Sequence, residues 1–284
     1  MSTAPTPGRP KAARAPSRGS EPRAAGSVGA LAFWPYPRWI AHRGAGKLAP
    51  ENTLAAFRLG AEHGYRMFEC DVKLSRDGVP FLLHDATLAR TTNAAQVLDP
   101  DASPTGGDHA WAALARLDAG GWHSRRYSGE PLPTLENIAH FCLANGYLLN
   151  IEIKPTPGQE DATGRVVGEH AARLWRGQAQ GPLLSSFQPE ALAGARATAP
   201  HLPRALLLDT LSEGWFDTAH ELGCVAIVCH HALWDAPLVQ RVHAQGWRAL
   251  SYTVNDEWAA QRLIALGTDG IITDRVDLFS PVAR

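Results

Sequence analysis

The 284-residue sequence lacks the features that would assign it at once to several protein classes. It has no run of about 18 uninterrupted apolar residues, so a membrane-spanning helix is not expected. The formal net charge is only −1, which gives no reason to expect nucleic acid or an anionic membrane as a partner. No oligomeric state is predicted. The four cysteines show neither zinc-site nor disulfide-framework spacing, and we expect reduced thiols.

Residues 1–36 are poor in apolar side chains and rich in Pro, Ala, Gly and Ser, with five basic residues against one acidic residue. Such a segment has too little apolar surface to offset the entropy lost on ordering. We therefore expect a disordered basic tail over 1–36 and a folded domain over 37–284. The most apolar part of the tail, 28–34, contains a glycine and runs into a proline-rich segment. Because this is unlike a secretory signal, we expect a cytoplasmic location.

From residue 38 onward, short β-branched or aromatic runs alternate with longer segments of helical spacing that end in glycine. The strand-like runs lie near 39–42, 67–74, 79–84, 147–153, 183–186, 204–208, 224–228, 248–253 and 270–273. Only Ser-Arg-Asp-Gly separates the second run from the third, which is too short for a parallel crossover, so these two form a hairpin. The other eight predict an α/β fold of the TIM (β/α)8 barrel type. A small capping insertion at about 75–133 then follows the second strand.

A doubly wound open sheet would show the same alternation of strands and helices. That fold binds phosphate groups at a glycine-rich turn after its first strand. Here Gly44-Ala45-Gly46 lacks the third glycine of such a turn. The barrel is therefore favoured over the open sheet.

Acidic residues mark the ends of two predicted strands. Glu69 and Asp71 stand one position apart in the run 67–74, whose other parity is apolar, so both carboxylates face the same side. Glu152 follows in the next parallel strand, also with inward parity. Barrel enzymes place their chemistry at the carboxyl ends of the strands, where these three residues would meet. Three carboxylates without a soft ligand favour Mg²⁺, Ca²⁺ or Mn²⁺ over zinc.

Two histidines and two cations complete the candidate site. His42 ends the first strand and His84 ends the returning arm of the hairpin. Imidazoles titrate near neutrality, so a pair can remove a proton from a nucleophile and deliver one to a leaving oxygen. Arg43 and Lys154 add positive charge suited to phosphate oxygens. A metal, two cations and two imidazoles together indicate a phosphodiester site.

Each of these residues also has an ordinary structural explanation, such as a buried histidine bonded to backbone or an ion pair. Those explanations do not account for why all of them fall at strand ends with inward parity. Glu51 is left open, because it precedes a predicted helix, where a carboxylate favours the helix dipole, and could equally support the site.

The ordered set of motifs from residue 38 to the C-terminus resembles the glycerophosphodiester phosphodiesterase family, in its compact bacterial type. The resemblance rests on His42-Arg43-Gly44, Pro50-Glu51-Asn52-Thr53, Glu69-Cys70-Asp71-Val72, Ser75-Arg76-Asp77-Gly78, His84-Asp85, Thr91-Thr92-Asn93, Pro133-Thr134-Leu135-Glu136, Asn150-Ile151-Glu152-Ile153-Lys154-Pro155, Tyr252-Thr253-Val254-Asn255 and Gly270-Ile271-Ile272-Thr273-Asp274. Each motif is weak by itself, whereas the ordered set is specific.

The resemblance implies an enzyme and a role for each candidate residue. It implies hydrolysis of a glycerophosphodiester to sn-glycerol 3-phosphate and an alcohol, with one divalent cation, Mg²⁺ or Ca²⁺ or alternatively Mn²⁺, as cofactor. The implied roles are metal ligation by Glu69, Asp71 and Glu152, acid and base catalysis by His42 and His84, and phosphate contact by Arg43 and Lys154. In the route proposed for such enzymes, the glycerol 2-hydroxyl attacks phosphorus to give a cyclic phosphate, which water then opens.

Two departures from the family pattern concern the alcohol moiety of the substrate. Tyr252 stands where many relatives carry tryptophan, and residues 96–107 form a loose Pro/Gly/Asp loop. One alternative is therefore a lysophospholipase D or sphingomyelinase-like phosphodiesterase on the same barrel, which an apolar channel beside the mouth would favour. An alternative of another class is a catalytically silent barrel that binds phosphodiesters.

Overall fold

The computed structural model describes residues 1, 2, 4 and 34–281. Almost all of the predicted tail lies outside these residues. The chain divides into two units, 1–30 and 31–284, and the description that follows concerns the second. In it, Tyr36 is buried and its hydroxyl donates a hydrogen bond to the carbonyl oxygen of Gly181 at 2.9 Å. The folded domain thus includes Trp34 and Tyr36 and begins before the predicted boundary at residue 37, because these aromatic side chains pack against the barrel interior.

Within residues 34–281, the strands form one nine-stranded sheet that closes on itself. They are Trp39–Ala41 (β1), Met67–Leu74 (β2), Pro80–Leu82 (β3), Leu148–Ile153 (β4), Leu183–Ser186 (β5), Arg204–Leu208 (β6), Ala226–His230 (β7), Arg248–Tyr252 (β8) and Gly270–Thr273 (β9). The parallel strand β1 pairs with both β2 and β9, so all strands except β3 make a closed eight-stranded parallel barrel. The predicted TIM barrel is confirmed.

Helices follow seven of the eight barrel strands, as the sequence pattern predicts, and within the described residues no helix follows β9. They are Leu54–Glu62 (α1), Ala94–Val97 (α2), Trp111–Leu114 (α3), Leu135–Asn145 (α4), Glu160–Leu174 (α5), Pro189–Thr198 (α6), Trp215–Glu221 (α7), Ala236–Ala244 (α8) and Glu257–Leu266 (α9). Short 3-10 turns cover Gly46–Leu48, Gly106–Asp108, Arg125–Tyr127 and His231–Leu233. A capping box between Thr134 and Asn137 begins α4, and Gly146 ends it with φ +66°. No helix in the described part is both long and apolar enough to span a membrane.

Strand β7 begins two residues later than the run near 224–228 predicts. Gly223 has φ +64°, and the backbone N–H of Cys224 donates to the carbonyl of Ala219 at 2.9 Å. These residues complete the end of α7 by satisfying one of its last carbonyls. The chain therefore enters the sheet only at Ala226, although the apolar character of the sequence starts earlier.

The predicted hairpin is confirmed, since β3 pairs antiparallel with the carboxyl end of β2, with Val72 opposite Leu82. The chain from there to Thr134 contains α2, α3 and an apolar cluster of its own. The cluster comprises Phe81, Leu83, Leu88, Ala94, Leu114, Leu117, Ala119 and Leu132. This insertion therefore packs as a small layer that starts at the carboxyl end of a barrel strand.

Strand β2 shows how side-chain parity sorts the rest of the core. Its residues of one parity, Phe68, Cys70, Val72 and Leu74, join the large cluster between the barrel and its helices. Met67, of the other parity, joins the cluster inside the barrel. Glu69 and Asp71 share the inward parity of Met67 and are buried further along the strand. The predicted separation of apolar and acidic faces is thus observed.

Candidate active site

Three carboxylates meet inside the carboxyl end of the barrel. Glu69 and Asp71 extend from β2, and Glu152 extends from β4, where it is the register partner of Asp71. One carboxylate oxygen of each residue lies within 4.8 Å of those of the other two. Glu69 and Asp71 are almost completely buried. The structure therefore brings together the three residues that the sequence assigned to a metal site.

The charges of this acidic cluster are only partly balanced by the protein. Burial, followed by the charges of Asp71 and Glu152, raises the pKa of Glu69 well above its usual value. Burial and the charge of Asp71 likewise raise the pKa of Glu152. Burial also acts to raise the pKa of Asp71, but the opposing charges of Arg43 and Lys154 dominate and lower it to about 2. One carboxylate is thus held ionised, while its neighbours are destabilised in their charged form.

A divalent cation fits this cluster. Glu69 Oε1 and Asp71 Oδ1 are buried and have no hydrogen-bond partner among the described residues. Buried polar atoms are normally satisfied, and an unpaired carboxylate oxygen is especially unfavourable. A hard cation would both bind these oxygens and remove the mutual repulsion of the carboxylates. The all-oxygen donor set matches Mg²⁺, Ca²⁺ or Mn²⁺.

The loop after β1 holds the cluster from one side. Arg43 adopts φ +50°, and its backbone N–H donates to Glu69 Oε2 at 3.0 Å. Its Nε lies 3.1 Å from Asp71 Oδ2 as an ion pair, and its Nη1 donates to Glu51 at 2.9 Å. Asn52, with φ +59°, donates through Nδ2 to Asp71 Oδ2 and accepts from the Asp71 N–H. The strained loop thus places two donors against buried carboxylates.

His42 lies beside the cluster and is oriented by an aspartate. Its Nδ1 is 2.6 Å from Asp274 Oδ1, and its Nε2 is 3.8 Å from Glu69 Oε2. Asp274 accepts a second hydrogen bond from Asn255 Nδ2 at 2.9 Å. A carboxylate can only accept, so Nδ1 of His42 carries a proton and Nε2 faces the cluster.

His84 has the same kind of partner. Its Nδ1 is 2.7 Å from Asp85 Oδ1. Burial, the largest cause, lowers the pKa of His84, with smaller contributions in the same direction from Arg43 and Lys154, while Asp71 and Asp85 act to raise it. The neutral imidazole, which can accept a proton at Nε2, is therefore favoured.

The two lysines of this region are linked to each other. Lys154 Nζ donates to Glu152 Oε1 at 3.0 Å and lies 3.8 Å from Asp71 Oδ1. Lys73, on β2, is only 3% exposed, and its Nζ donates to the backbone carbonyl of Lys154 at 3.2 Å. Burial, followed by the charge of Lys154, lowers the pKa of Lys73 to about 8. Lys154 thus lies against two carboxylates of the acidic cluster.

Two polar cavities open beside these groups. One, of about 390 Å³, is lined by His42, Arg43, Gly46, Lys47, Ala49, Glu51, Arg90, Trp122, His123 and Asp274. The other, of about 310 Å³, is lined by Lys73, Glu152, Ile153, Lys154, Pro155, Pro157, Glu160, Ser186, Phe187 and Gln188. The insertion contributes Arg90, Trp122 and His123 to the first cavity. Four of the proposed site residues, His42, Arg43, Glu152 and Lys154, therefore adjoin spaces that can admit a small molecule.

Several groups of this site were not assigned a role by sequence reasoning. These are Asn52, Lys73, Asp85, Arg90, Asn255 and Asp274. Four of them, Asn52, Asp85, Asn255 and Asp274, lie within the motifs quoted above. Their presence in these motifs was the signal from which the sequence could have predicted a role in the site. Lys73 could have been found from its inward parity on β2.

Residues 42–278 match the glycerophosphoryl diester phosphodiesterase family. The chain belongs to this family. A glycerophosphodiester phosphodiesterase from Caldanaerobacter subterraneus subsp. tengcongensis is 32% identical over 242 residues, which is 83% of this chain and 93% of that protein. An Oleispira antarctica phosphodiesterase, solved in complex with the product sn-glycerol-3-phosphate, superposes with a TM-score of 0.77 at 32% identity, covering 87% of this chain and 96% of that one.

A second solved structure, of glycerophosphodiester phosphodiesterase from Agrobacterium tumefaciens, has a TM-score of 0.70 at 30% identity and covers 87% of this chain and 100% of that chain. Membership of the glycerophosphoryl diester phosphodiesterase family confirms the predicted family and the predicted enzyme class, a phosphoric diester hydrolase. The roles of individual residues stay predictions.

Proposed function

We propose that this phosphodiesterase hydrolyses glycerophosphodiesters to sn-glycerol 3-phosphate and an alcohol, with one Mg²⁺ or Ca²⁺ ion, or alternatively Mn²⁺, held by Glu69, Asp71 and Glu152. When bound, the cation supplies Lewis-acid polarisation of phosphoryl oxygens. The observation that carries the proposal is the buried acidic cluster, which contains carboxylate oxygens without hydrogen-bond partners among the described residues and lies beside His42. His84 interacts electrostatically with Asp71 of this cluster. The product bound in the Oleispira antarctica relative supports glycerol 3-phosphate as the retained half of the substrate.

The two histidines carry the proton transfers in this proposal. One imidazole removes the proton of the glycerol 2-hydroxyl, whose oxygen then forms a bond to phosphorus. The bond from phosphorus to the alcohol oxygen breaks, and the other imidazole, in its protonated form, donates a proton to that oxygen. Water then opens the cyclic phosphate with the two roles exchanged. The hydrogen bonds that His42 Nδ1 donates to Asp274 and His84 Nδ1 donates to Asp85 keep Nε2 of each ring directed at the reacting groups.

Arg43 and Lys154 are proposed to contact the phosphate oxygens. Both already lie against carboxylates of the acidic cluster, so their positions are fixed before substrate binds. A preformed array of positive groups stabilises the charge that develops on the phosphoryl oxygens without reorganising at the moment of reaction. A cytoplasmic location rests on the sequence alone and stays a prediction.

The residues that line the cavities favour a small polar substrate over a lysolipid. Most residues around the two cavities beside the acidic cluster are charged or polar, although apolar atoms make up much of the exposed lining of the cavity beside His42. An apolar cavity of about 360 Å³ does occur in the insertion, lined by Leu88, Ala89, Ala94, Ala95, Leu98, Asp99, Pro100, Ala102, Ser103 and Pro104. It shares none of these lining residues with the two polar cavities.

The proposal is tested by assaying the purified protein with glycerophosphocholine, glycerophosphoethanolamine, glycerophosphoglycerol and a lysolipid. We expect release of glycerol 3-phosphate from the first three, loss of activity with EDTA, and recovery with Mg²⁺, Mn²⁺ or Ca²⁺. Turnover in a verified metal-free sample, or of the lysolipid alone, would contradict the proposal. A protein that binds the substrates without turnover would support the silent-barrel alternative.

The histidine assignment is tested by His42→Ala and His84→Ala, each expected to lower kcat by about 10²–10⁴-fold. His243→Ala is the matched control, because His243 Nε2 pairs with Asp269 at 2.8 Å, away from the residues assigned to the site. Near-normal turnover in either site variant would remove that histidine from the mechanism. Accumulation of a cyclic phosphate, followed by ³¹P NMR, tests the two-step route.

A further inference from the structure

Arg90 lies in the insertion and has no part in the reaction described above, yet its guanidinium group binds two carboxylates. Its Nε and Nη2 donate to the two oxygens of Asp85 at 2.7 and 2.9 Å. Its Nη1 and Nη2 donate to the two oxygens of Glu51 at 2.8 Å each. Bidentate pairing of this kind fixes direction as well as distance, since the donors and acceptors lie in rigid planar groups.

Each of these carboxylates also holds a group of the proposed site. Asp85 Oδ1 is 2.7 Å from Nδ1 of His84. Glu51 Oε1 is 2.9 Å from Nη1 of Arg43. Arg90 is therefore one hydrogen-bonded residue away from an imidazole on one side and from a phosphate-contacting guanidinium on the other. These two groups belong to separate loops, one after β1 and one after β3.

A contribution to folding stability does not readily explain why Arg90 pairs with both Asp85 and Glu51. The Arg90 side chain is 42% exposed, so water and salt weaken its ion pairs, and their bidentate geometry accounts for orientation more directly than for folding stability. Orientation of the groups that these two carboxylates bind explains the pairing better. Without Arg90, Asp85 would keep only the His84 imidazole and Glu51 would keep only Arg43 as a side-chain partner among the described residues, so His84 and Arg43 could rotate with their carboxylates.

We propose that Arg90 is a positioning residue that couples the two halves of the site, because its simultaneous pairing with Asp85 and Glu51 sets the orientations of His84 and Arg43 together. Through this residue the insertion becomes part of the catalytic apparatus. The hydrogen bonds from Arg90 are the largest cause that lowers the pKa of Asp85. Asp85 thus stays ionised and keeps accepting the Nδ1 proton of His84.

The inference rests on the proposed function and is tested first by kinetics with glycerophosphocholine. We expect Arg90→Met to lower kcat/KM by about 10–100-fold, the usual effect of losing a group that orients a catalytic residue. Because Arg90 acts through both carboxylates, kcat should fall and KM should rise. Arg90→Met combined with Asp85→Asn or Glu51→Gln should cost less than the product of the single effects.

A matched control and a rescue separate positioning from general destabilisation. Arg165→Met removes another exposed arginine that pairs with an aspartate, Asp161, on the outer helix α5, and should leave kcat/KM within about twofold. Arg90→Met should lower Tm by no more than about 4 °C. Guanidinium ion at millimolar concentration should partly restore Arg90→Ala, whereas NaCl of equal ionic strength should not. If Arg90→Met does not fold, Arg90→Lys, which keeps the charge without both bidentate pairs, should still lower kcat/KM relative to wild type, and an unchanged kcat/KM would overturn the proposal.

Histidine ring NMR provides a readout that does not depend on turnover. Arg90→Met should shift the ring signals of His84, while those of His243, paired with Asp269, stay in place. Unchanged His84 signals, or kcat/KM within twofold of wild type, would overturn the coupling. Fully multiplicative double variants would also overturn it. Should the wild type hydrolyse none of the substrates, the proposed function fails, and the NMR comparison still decides whether Arg90 orients His84.

Discussion

Along β2, the interior of the barrel changes from an apolar layer at the amino end to a charged layer toward the carboxyl end. At successive inward positions this strand carries Met67, Glu69, Asp71 and Lys73. Met67 belongs to the apolar layer, where close packing by itself satisfies each side chain. The next three residues are also buried but depend on ion pairs and hydrogen bonds. The inward-facing residues of β2 therefore contribute to stability at the amino end of the strand and to the candidate site at its carboxyl end.

This contrast is largest when a charge of the carboxyl-end layer is removed. Asp71→Asn keeps the shape of the side chain but removes a proposed cation ligand and the buried counterion of Arg43. We expect kcat/KM to fall by about 10³-fold, together with weaker Mg²⁺ binding, because developing charge on phosphate loses much of its compensation. Steady-state kinetics and metal titration by calorimetry measure both effects. Glu136→Gln, on the exposed surface of α4, is the control, and an active Asp71→Asn variant would contradict the metal assignment.

The position of a side chain in these two layers can be predicted from the sequence only when the residue lies within a strand, where inward and outward positions alternate. Glu69 and Glu152 could be placed because alternation along a strand fixes their side. Asp274, Asn52 and Arg90 follow the ends of strands or lie in loops, where no period indicates which group they meet. Their partners are 232, 19 and 39 residues away in the sequence, so only the closed barrel brings them into contact.

Element boundaries show the same limit. The strand period predicted which runs enter the barrel, yet the start of β7 is set by the end of α7, through the turn at Gly223. The start of the folded domain is set by Tyr36, whose role depends on a distant carbonyl at Gly181. Composition, which classed Tyr36 with the tail, has no information about that partner.

Substitution in the apolar layer should give the opposite pattern, a loss of stability without loss of chemistry. Leu207 on β6 is buried inside the barrel, on a strand without any proposed site residue. We expect Leu207→Ala to lower the free energy of unfolding by about 3–4 kcal/mol, since the side chain leaves a cavity. At 25 °C kcat should stay within twofold of wild type. Urea unfolding measures the loss, and Leu211→Ala, at an exposed leucine, should cost less than about 0.5 kcal/mol.

Replacing Lys73 with an apolar residue would test whether a buried charge in the carboxyl-end layer lowers the stability of the protein. Burial lowers its pKa from 10.5 to about 8, so between these values the unfolded chain binds more protons and stability rises with pH. Below pH 8 the buried charge costs about 3 kcal/mol, from the 1.36 kcal/mol per pKa unit, offset by about 1 kcal/mol from its hydrogen bond to the Lys154 carbonyl.

We therefore expect Lys73→Met to stabilise the protein by about 2 kcal/mol at pH 7, and we expect this gain to disappear as pH approaches 10.5. Urea unfolding at pH 7 and pH 10 measures the difference. A variant that is destabilised at pH 7, or whose gain does not change with pH, would show that Lys73 is not buried in its charged form at an energetic cost. Arg165→Met, which removes an exposed charge on α5, should show no such pH dependence.

The smallest expected effect concerns the residue that closes the apolar layer. Tyr36→Phe removes only the hydroxyl that donates to the Gly181 carbonyl, and the ring can keep its contacts with the interior cluster. A buried carbonyl that loses its donor costs about 1 kcal/mol in the free energy of unfolding. Tyr147→Phe is the control, because the Tyr147 hydroxyl accepts only from the exposed Arg66 at 3.2 Å, and it should change stability by less than about 0.5 kcal/mol. Equal effects of the two variants would indicate that Tyr36 is solvated like a surface residue and that the folded domain begins beyond it. A larger loss of stability in Tyr36→Phe than in Tyr147→Phe, with kcat unchanged, would show that the folded domain includes Tyr36. It would also show that Tyr36 contributes to stability without affecting the charged site at the carboxyl ends of the strands.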